Sequence, residues 1–313
     1  MGLQNKIKKY GLLLFSCFLL LISCDEHTEI KTIGETEFYF DEKLSSISED
    51  EDGTFWVGSE TGDLFNFNEN AYTSFDLGED RIYKVKKDIV GIGDTTFWIG
   101  VRNSGLQKWK KSGDAFEKQQ TYAIRFKKDK YSSYDFTPVD DVLYVATSQG
   151  LYSLDKKQYS DTLSLIYPSV DFLSAKDGTT FLVHNICQVS KDLILASTQE
   201  GLLWYDIKNQ SANLTMEGTH VEHVSLYNDT VFVLSKNHLN LCNIAGGLLK
   251  TIKLDNSPKV YFQNEGVHYF VGATELVLSN NLEDFYTLFL RRSVPINSRN
   301  LILSDKEQDF IYL

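Results

Sequence analysis

Proline, cysteine and methionine are scarce in this sequence of 313 residues, which holds four, four and two of them, respectively. Aromatic residues make up 13% of the chain. A chain with little proline and many aromatic residues does not have the composition of a disordered protein, and it favours packed strands. Apart from one run near the N-terminus, the sequence has no long apolar stretch, and nothing in it resembles a long amphipathic helix. The composition therefore predicts a strand-rich globular protein.

Positive charge is also in deficit. The chain has 31 Lys and Arg against 43 Asp and Glu, a formal net charge of −12. Proteins that bind nucleic acid neutralise phosphates with Lys and Arg, so nucleic acid is not expected as a partner. The same excess of acidic residues gives no attraction to anionic lipid headgroups, and it is typical of a soluble body held off a membrane by a tether.

The N-terminus has the pattern of an export signal. Residues 1–23 contain three lysines and no acidic residue, and an apolar run from Gly11 to Ile22 follows the lysines. A basic segment, a short apolar segment and a small-residue cleavage site make up a secretory signal. The run is shorter than the roughly 20 residues that a membrane-spanning helix needs. The pattern predicts a cleaved signal rather than a permanent transmembrane anchor.

The end of this segment, Leu21-Ile22-Ser23-Cys24, resembles the lipobox of bacterial lipoproteins. The resemblance implies cleavage before Cys24 and lipidation of Cys24, and two or three acyl chains give stable membrane anchoring. Asp25 and Glu26 follow, and two sorting rules compete for them. An Asp after the lipidated Cys retains some lipoproteins at the inner membrane, whereas a short acidic stretch directs others outward. We favour the outer membrane.

These features divide the chain into three parts. Residues 1–23 are the predicted signal peptide, residues 24–36 are the lipidated Cys and an acidic tether, and residues 37–313 are the folded domain. Two further cysteines, Cys187 and Cys242, fall in different strands of neighbouring repeats. We therefore expect two buried thiols rather than a disulfide.

One motif recurs along the folded domain at intervals of 38 to 50 residues. It is a turn with Asp or Gly, a short aromatic or β-branched strand, a polar turn ending in Gly-Leu, and a second short strand. This period is that of a four-stranded propeller blade. The clearest copies begin at Asp52, Asp94, Asp141 and Asp192, and weaker copies contain Phe232, Phe270 and Ile311.

Seven copies predict an all-β, seven-bladed propeller with four strands in each blade. The seventh copy is short, and strands near Ile30–Ile33 and Glu37–Phe40 are expected to complete its blade. The glycine of each Gly-Leu pair supplies the positive φ of a tight turn. The leucine after it and the tryptophans Trp56, Trp98, Trp109 and Trp204 are expected to lie in the core. An open alternative is that the chain is a truncated piece of a longer propeller.

The segment Asp52-Gly-Thr-Phe-Trp-Val-Gly58 and the later Gly-Leu pairs resemble the two-component-regulator propeller repeat. In that family the repeats form the extracytoplasmic sensor of hybrid histidine kinases and recognise glycans. The resemblance covers residues 45–313 as a period and is specific for about the first four copies. It implies the fold and a binding role. Phosphorelay activity is not carried over, because the sequence contains no kinase core.

No motif of a catalytic, metal or cofactor site stands out. His220 and His223 would point to opposite faces of a strand, and no third zinc ligand is evident. The sequence lacks the His-Glu-x-x-His, Gly-x-Ser-x-Gly and phosphate-loop patterns. We therefore predict no catalytic residue, no metal ligand and no cofactor.

A propeller ligand would sit at one mouth of the central channel. Two residue sets are candidates for contacting it: the turns between the second and third strands, and the starts of the innermost strands. The predicted ligand-binding residues are Arg102, Asn103, Gln149, Glu200 and His238 on the turns, and Asp135, Asn185, His223 and Tyr261 on the inner strands.

Three functions are consistent with the sequence. The first is a lipid-anchored, non-catalytic binding or scaffold module for an envelope protein or a glycan. The second is a detached sensor propeller related to the extracytoplasmic domains of hybrid histidine kinases. The third is a glycan-active enzyme, which would need two carboxylates across one site.

Overall fold

A computed structural model of the chain describes residues 28–31, 37–40, 44–49, 54–68, 71–89, 95–113, 115–124, 130–169, 180–255, 257–264, 266–272, 275–289, 302–303 and 311–312. Every regular element in these ranges is a β-strand. Over the same residues, no helix combines the length and the apolar character needed to cross a membrane. Cys24 and the predicted signal lie outside the described residues.

The first two strands form a hairpin, β1 (Thr28–Lys31) with β2 (Glu37–Phe40). Two antiparallel blades follow, each of four strands in chain order. Blade 1 is β3 (Leu44–Glu49), β4 (Phe55–Ser59), β5 (Asp63–Asn68) and β6 (Ala71–Asp76). Blade 2 is β7 (Ile82–Ile89), β8 (Thr95–Val101), β9 (Gly105–Ser112) and β10 (Ala115–Thr121).

Blade 3 has a fifth strand. The short β11 (Ala123–Ile124) pairs in parallel with the outermost strand of this blade and covers its edge. The other four are β12 (Ser133–Val139), β13 (Val142–Thr147), β14 (Gly150–Asp155) and β15 (Thr162–Tyr167).

Three more four-stranded blades complete the regular part of the fold. Blade 4 is β16 (Val183–Ser190), β17 (Leu193–Thr198), β18 (Gly201–Asp206) and β19 (Ser211–Thr215). Blade 5 is β20 (Val221–Tyr227), β21 (Thr230–Ser235), β22 (His238–Asn243) and β23 (Leu248–Lys253). Blade 6 is β24 (Val260–Asn264), β25 (Val267–Val271), β26 (Glu275–Ser279) and β27 (Tyr286–Phe289).

A last hairpin, β28 (Ile302–Leu303) with β29 (Ile311–Tyr312), ends the described chain. The first strand of each blade contacts the first strand of the next, and β28 contacts β3 of blade 1 in the same way. The predicted all-β propeller is confirmed. Among the described residues, β1 and β2 pair only with each other, so closure of a seventh blade by the N-terminal strands stays a prediction.

The core lies in the seams between neighbouring blades. The second strand of a blade has a blade against each of its faces, so its side chains are buried almost without alternation, as in β13 and β17. Such strands read as continuous apolar runs in the sequence. Trp56 is buried with Phe97 between blades 1 and 2, and Trp98 with Phe136 between blades 2 and 3. Trp109 is buried as predicted, whereas Trp204 is half-buried.

The glycines of the repeat have two separate roles. Gly150 and Gly201 begin the third strands of their blades with φ angles of 131° and 153°, as the tight-turn prediction requires. A Cβ at either position would also lie 2.3 to 2.4 Å from a backbone carbonyl oxygen at the end of the fourth strand of the same blade. The second role belongs to the glycine that ends each Trp-x-Gly segment, which allows neighbouring blades to pack closely. A Cβ on Gly100 would lie 2.7 Å from the carbonyl oxygen of Ser133 in blade 3.

The two cysteines of the described chain are free thiols on separate strands of neighbouring blades. Cys187 lies in β16 of blade 4 and Cys242 in β22 of blade 5, and both border the same apolar cluster. Cys242 is buried and Cys187 is half-buried. The expectation of two separate thiols is confirmed, although only one is fully buried.

A pair of alanine substitutions separates strain in the backbone from steric overlap. Gly113 and Gly150 both have positive φ, but only Gly150 has backbone atoms where a Cβ would lie. Gly113→Ala should lower the free energy of unfolding by about 1 kcal/mol, the cost of a left-handed alanine. Gly150→Ala should cost about 3 kcal/mol or more, because blade 3 must also shift. Urea unfolding of the two variants measures both values, and equal losses would contradict the steric argument.

Candidate functional site

The innermost strands of blades 1 to 5 share one irregularity, a shift of pairing register after their first residue. A bulge of this kind re-aims a side chain. These strands begin at the end of the channel that also carries the turns between second and third strands, and we call this end the mouth. The bulged residues are Ser45, Tyr83, Tyr134, His184 and Glu222.

On blades 2 and 3 the bulged residues are aromatic. The rings of Tyr83 and Tyr134 meet edge to face with centroids 5.1 Å apart, and both side chains are buried. The Arg81 guanidinium lies 5.3 Å from the centre of the Tyr83 ring and 3.6 Å from Glu60. This side of the mouth therefore combines aromatic faces with a cation.

On blades 4 and 5 the bulged residues are His184 and Glu222. The ring of His184 stacks on that of His220, with centroids 4.9 Å apart and planes 5° from parallel. His220 Nε2 lies 3.5 Å from one oxygen of Glu222, and the other oxygen is bound by Lys259 from the link into blade 6. Both His184 and Glu222 are buried, whereas the His220 side chain is 46% exposed.

On blades 2, 3 and 4 the residue after the bulge ties its blade to the next. Asp135 of blade 3 is buried, and its Oδ1 accepts hydrogen bonds from the Lys84 ammonium of blade 2 and, at 2.8 Å, from the Phe136 N–H. Its Oδ2 accepts the Ile186 N–H of blade 4 at 2.8 Å. One carboxylate thus joins three blades.

Asn185 makes the corresponding connection between blades 4 and 5. Its side-chain amide donates to the Val224 carbonyl at 2.9 Å, and its Oδ1 accepts the Val224 N–H at 3.0 Å. The Ser197 hydroxyl donates to the same Oδ1 at 2.7 Å. These buried bonds assign Asn185 to holding blades 4 and 5 together.

His223 takes the same position on blade 5 without such a bond. Its Nδ1 is buried and has no hydrogen-bond partner. Burial lowers the pKa of His223 to about 4, and the nearby Asp135 carboxylate only partly opposes this shift. Burial, assisted by the same carboxylate, raises the pKa of Cys187 to about 11. At neutral pH both groups are uncharged.

The predicted turn residues reach the mouth in different ways. Arg102 and Glu200 are exposed. Asn103 has a φ of 57°, and its side-chain amide donates to the Asp80 carboxylate at 3.0 Å. Gln149 is buried and bridges to Phe181, while His238 pairs with Ser235 at the start of β22 and is half-buried.

Tyr261 is not brought to this group. It is 1% exposed and packs between blades 5 and 6, stacked on Phe232 with centroids 4.9 Å apart. Its hydroxyl is hydrogen-bonded to His268 Nδ1 at 2.7 Å. The described pairs of β24 contain no register shift. Without the bulge, alternation along the strand turns this side chain into the core.

The sequence-based set missed all five bulged residues. One signal could have found them, because each is the second residue of an innermost strand: Ser45, Tyr83, Tyr134, His184 and Glu222. The set contained the third residues of such strands but omitted Lys84, the partner of Asp135. The Glu222 carboxylate, like that of Asp135, is bound to a lysine. Two paired carboxylates suit structural and binding roles more than proton transfer.

Stability should fall as the pH drops below the ordinary range of histidine, because His223 is held neutral in the fold. An unfolded histidine takes up its proton near pH 6.5, whereas His223 does so only near pH 4. The unfolded chain therefore binds the proton first, so this contribution is complete above about pH 6.5 and is lost between pH 6.5 and 4. At pH 4.5 the loss amounts to about 2–3 kcal/mol.

Urea unfolding at pH 7.5 and 4.5 tests this dependence. His223→Gln should remove that part of the pH dependence, whereas the matched His238→Gln variant, at a half-buried turn position, should retain it. An unchanged pH dependence in His223→Gln would contradict the assignment.

Comparisons with known proteins extend the description of the fold. No family model and no curated protein sequence matches the chain. Among solved structures, it is similar to the extracellular domain of the putative hybrid two component system BT4673 from B. thetaiotaomicron. The TM-score is 0.65 at 18% identity, over 90% of this chain and 38% of that one.

The corresponding domain of BT3049 from the same organism gives a TM-score of 0.55 at 16% identity, over 83% of this chain and 36% of that one. A catalytically inactive virginiamycin B lyase from Staphylococcus aureus gives 0.61 at 11% identity, over 88% of this chain and 92% of that one. The chain thus spans little more than a third of the two extracellular domains. At these identities the similarities establish that the chain has the fold of these proteins, a β-propeller.

Proposed function

We propose that this chain is an exported recognition propeller of the sensor type, which binds a glycan at the mouth and catalyses no reaction. The observation that carries the proposal is the set of bulged residues. Five neighbouring blades have the same backbone irregularity at the same end of the channel, each with a polar or aromatic residue at the bulge. Below them, Asp135 and Asn185 fasten the blades, so the mouth is built on a rigid base.

The chemistry of this mouth suits a sugar. The mouth holds the largely buried rings of Tyr83 and Tyr134 and the half-exposed ring of His220, and Arg102 on a turn at the same end is exposed. Binding sites of this type combine apolar or aromatic surface with a few fixed polar groups that set orientation. The similarity to extracellular domains of hybrid two-component systems supports a sensing role, as does the resemblance of the repeat.

The same proposal places the protein in the cell envelope. Cleavage before Cys24 would leave that cysteine to carry the lipid, and the acidic residues after it favour the outer membrane. Acyl chains on Cys24 would anchor an acidic body that has little attraction of its own to anionic headgroups. No metal or other cofactor is part of the proposed function.

Calorimetry of the full-length chain with a panel of neutral and uronate oligosaccharides tests the binding role. At least one of them should bind, and Arg102→Ala or Tyr134→Phe should weaken it about 3- to 10-fold, the effect of one lost hydrogen-bonding group. The matched control is Tyr159→Phe, because Tyr159 is fully exposed on a turn at the opposite end of blade 3. Equal affinities in all three variants would place the ligand elsewhere, and binding of no oligosaccharide would remove the glycan from the proposal.

The second candidate is a scaffold for an envelope protein. One observation favours it: Ile244, Leu248 and Leu249, on the outer edge of blade 5, are 47%, 63% and 60% exposed. Exposed apolar side chains grouped on an edge strand are typical of a contact surface.

Cross-linking of the full-length chain in its own cells separates the candidates. A stoichiometric envelope protein that Leu249→Asp no longer captures would support the scaffold. Capture that is unaffected by Leu249→Asp, or no capture at all, would count against it.

Fractionation of the same cells tests the lipid anchor. The wild type should fractionate with membranes, and Cys24→Ser should not, because it cannot be lipidated. Wild-type protein in the soluble fraction would contradict the anchor.

A further inference from the structure

Histidine is unevenly distributed in this chain. Of its six histidines, four belong to blades 4 and 5. His184 is the second residue of β16, His220 directly precedes β20, His223 lies within β20, and His238 begins β22. All four therefore lie at or next to the mouth, and histidine is the side chain whose ordinary titration range is closest to physiological pH.

The central pair spans the seam between two blades. His184 belongs to blade 4 and His220 to the link that enters blade 5, and their rings lie parallel with centroids 4.9 Å apart. Two neutral rings, or one neutral and one charged ring, can keep this arrangement. Two imidazolium charges at this separation repel each other, which weakens binding of the second proton by roughly 4-fold in bulk water and a few hundredfold at an effective dielectric constant of about 20.

Several charged side chains surround the pair. Glu222 of β20 lies 3.5 Å from His220 Nε2 and shares its charge with Lys259 from the link into blade 6. The link before His220 carries Glu217, and the Gly218 N–H of this link donates to the Glu200 carbonyl at 2.9 Å. The residues Glu217 and Glu200 therefore belong to adjacent turns and add two further carboxylates. The half-exposed ring of His220 thus lies beside a carboxylate, whereas the ring of His184 on its other side is buried.

The other groups on these strands do not interfere in the same pH range. Burial lowers the pKa of His223 to about 4, so this ring stays neutral while an ordinary histidine titrates. The carboxylate near His223 is that of Asp135, which is bound to Lys84. Burial raises the pKa of Cys187 to about 11, so this thiol is uncharged as well. The stacked pair is the place at this seam where a second proton would put two like charges 4.9 Å apart.

We propose that the His184–His220 stack is a proton-operated latch at the mouth, closed when at most one ring is charged and opened when both are. On opening, His220 moves into solvent, toward which its side chain is already 46% exposed, and uncovers the buried ring of His184. The seam between blades 4 and 5 then presents a wider and more positive surface to a ligand. This regulation rests on the proposed function, because the latch acts on the same mouth.

The latch is tested first without any ligand. Selective ¹⁵N labelling of the histidines of the full chain gives six residues to follow from pH 8 to pH 5. We expect the rings of His184 and His220 to titrate in two linked steps, the second needing at least about a tenfold higher proton concentration than the first. Independent titration of the two rings in the wild type would overturn the latch.

Replacing one ring at a time distinguishes coupling from independent titration. The ring that binds the second proton should bind it at about a tenfold lower proton concentration once the other ring is replaced, in His220→Gln or in His184→Asn. His238→Gln is the control and should change neither ring. No shift of the remaining ring in either variant would overturn the proposal. If His184→Asn does not fold, independent titration of the two rings in the wild type still decides against the latch.

Binding of the oligosaccharide panel at pH 7.5 and pH 5.5 completes the test. The affinity of the wild type should differ about tenfold between the two pH values, and that of His220→Gln less than twofold. Equal affinity of the wild type at both pH values would overturn the latch while leaving the proposed function intact. If no oligosaccharide binds at either pH, the glycan-binding function fails, and the titration of the two rings still decides whether the latch exists.

Discussion

The buried carboxylate of Asp135 is the contact on which the centre of this propeller depends. It accepts one hydrogen bond from the blade before it, from the Lys84 ammonium, and one from the blade after it, from the Ile186 N–H. Blades are otherwise separate sheets joined by apolar packing, which has little directional preference. Directional bonds near the axis fix how far each sheet is rotated from the next. Asn185 repeats this bond one blade further on, and at blade 6 the ion pair between Lys259 and Glu222 replaces it.

Close approach of the blades imposes a second constraint, and the repeat meets it with glycine. Gly58 and Gly100 leave room for the inner strand of the next blade, at Ile82 and Ser133. The glycines of the Gly-Leu turns leave room for a carbonyl of their own blade. The glycines of the repeat therefore reflect the short distances within and between sheets as well as the turns.

The mouth inherits its properties from this frame. Because each bulge comes at the second residue of an innermost strand, the same backbone feature places five chemically different residues at the mouth. The fold supplies the position and the individual residue supplies the chemistry: tyrosine on blades 2 and 3, histidine and glutamate on blades 4 and 5. The residues at the bulges can then change without altering the apolar seams between blades.

The sequence alone determined the propeller, its blade period and the burial of Trp56 and Trp98, because these follow from local periodicity and from the bulk of each side chain. It also pointed to Asp135, Asn185 and His223 through their equivalent places in the repeat. Tertiary structure alone decided what these residues do, since their partners lie tens of residues away in the chain. It also decided that Tyr261 faces the core. A bulge shifts every later side chain of a strand to the other face, and no local pattern marked which inner strands carry one.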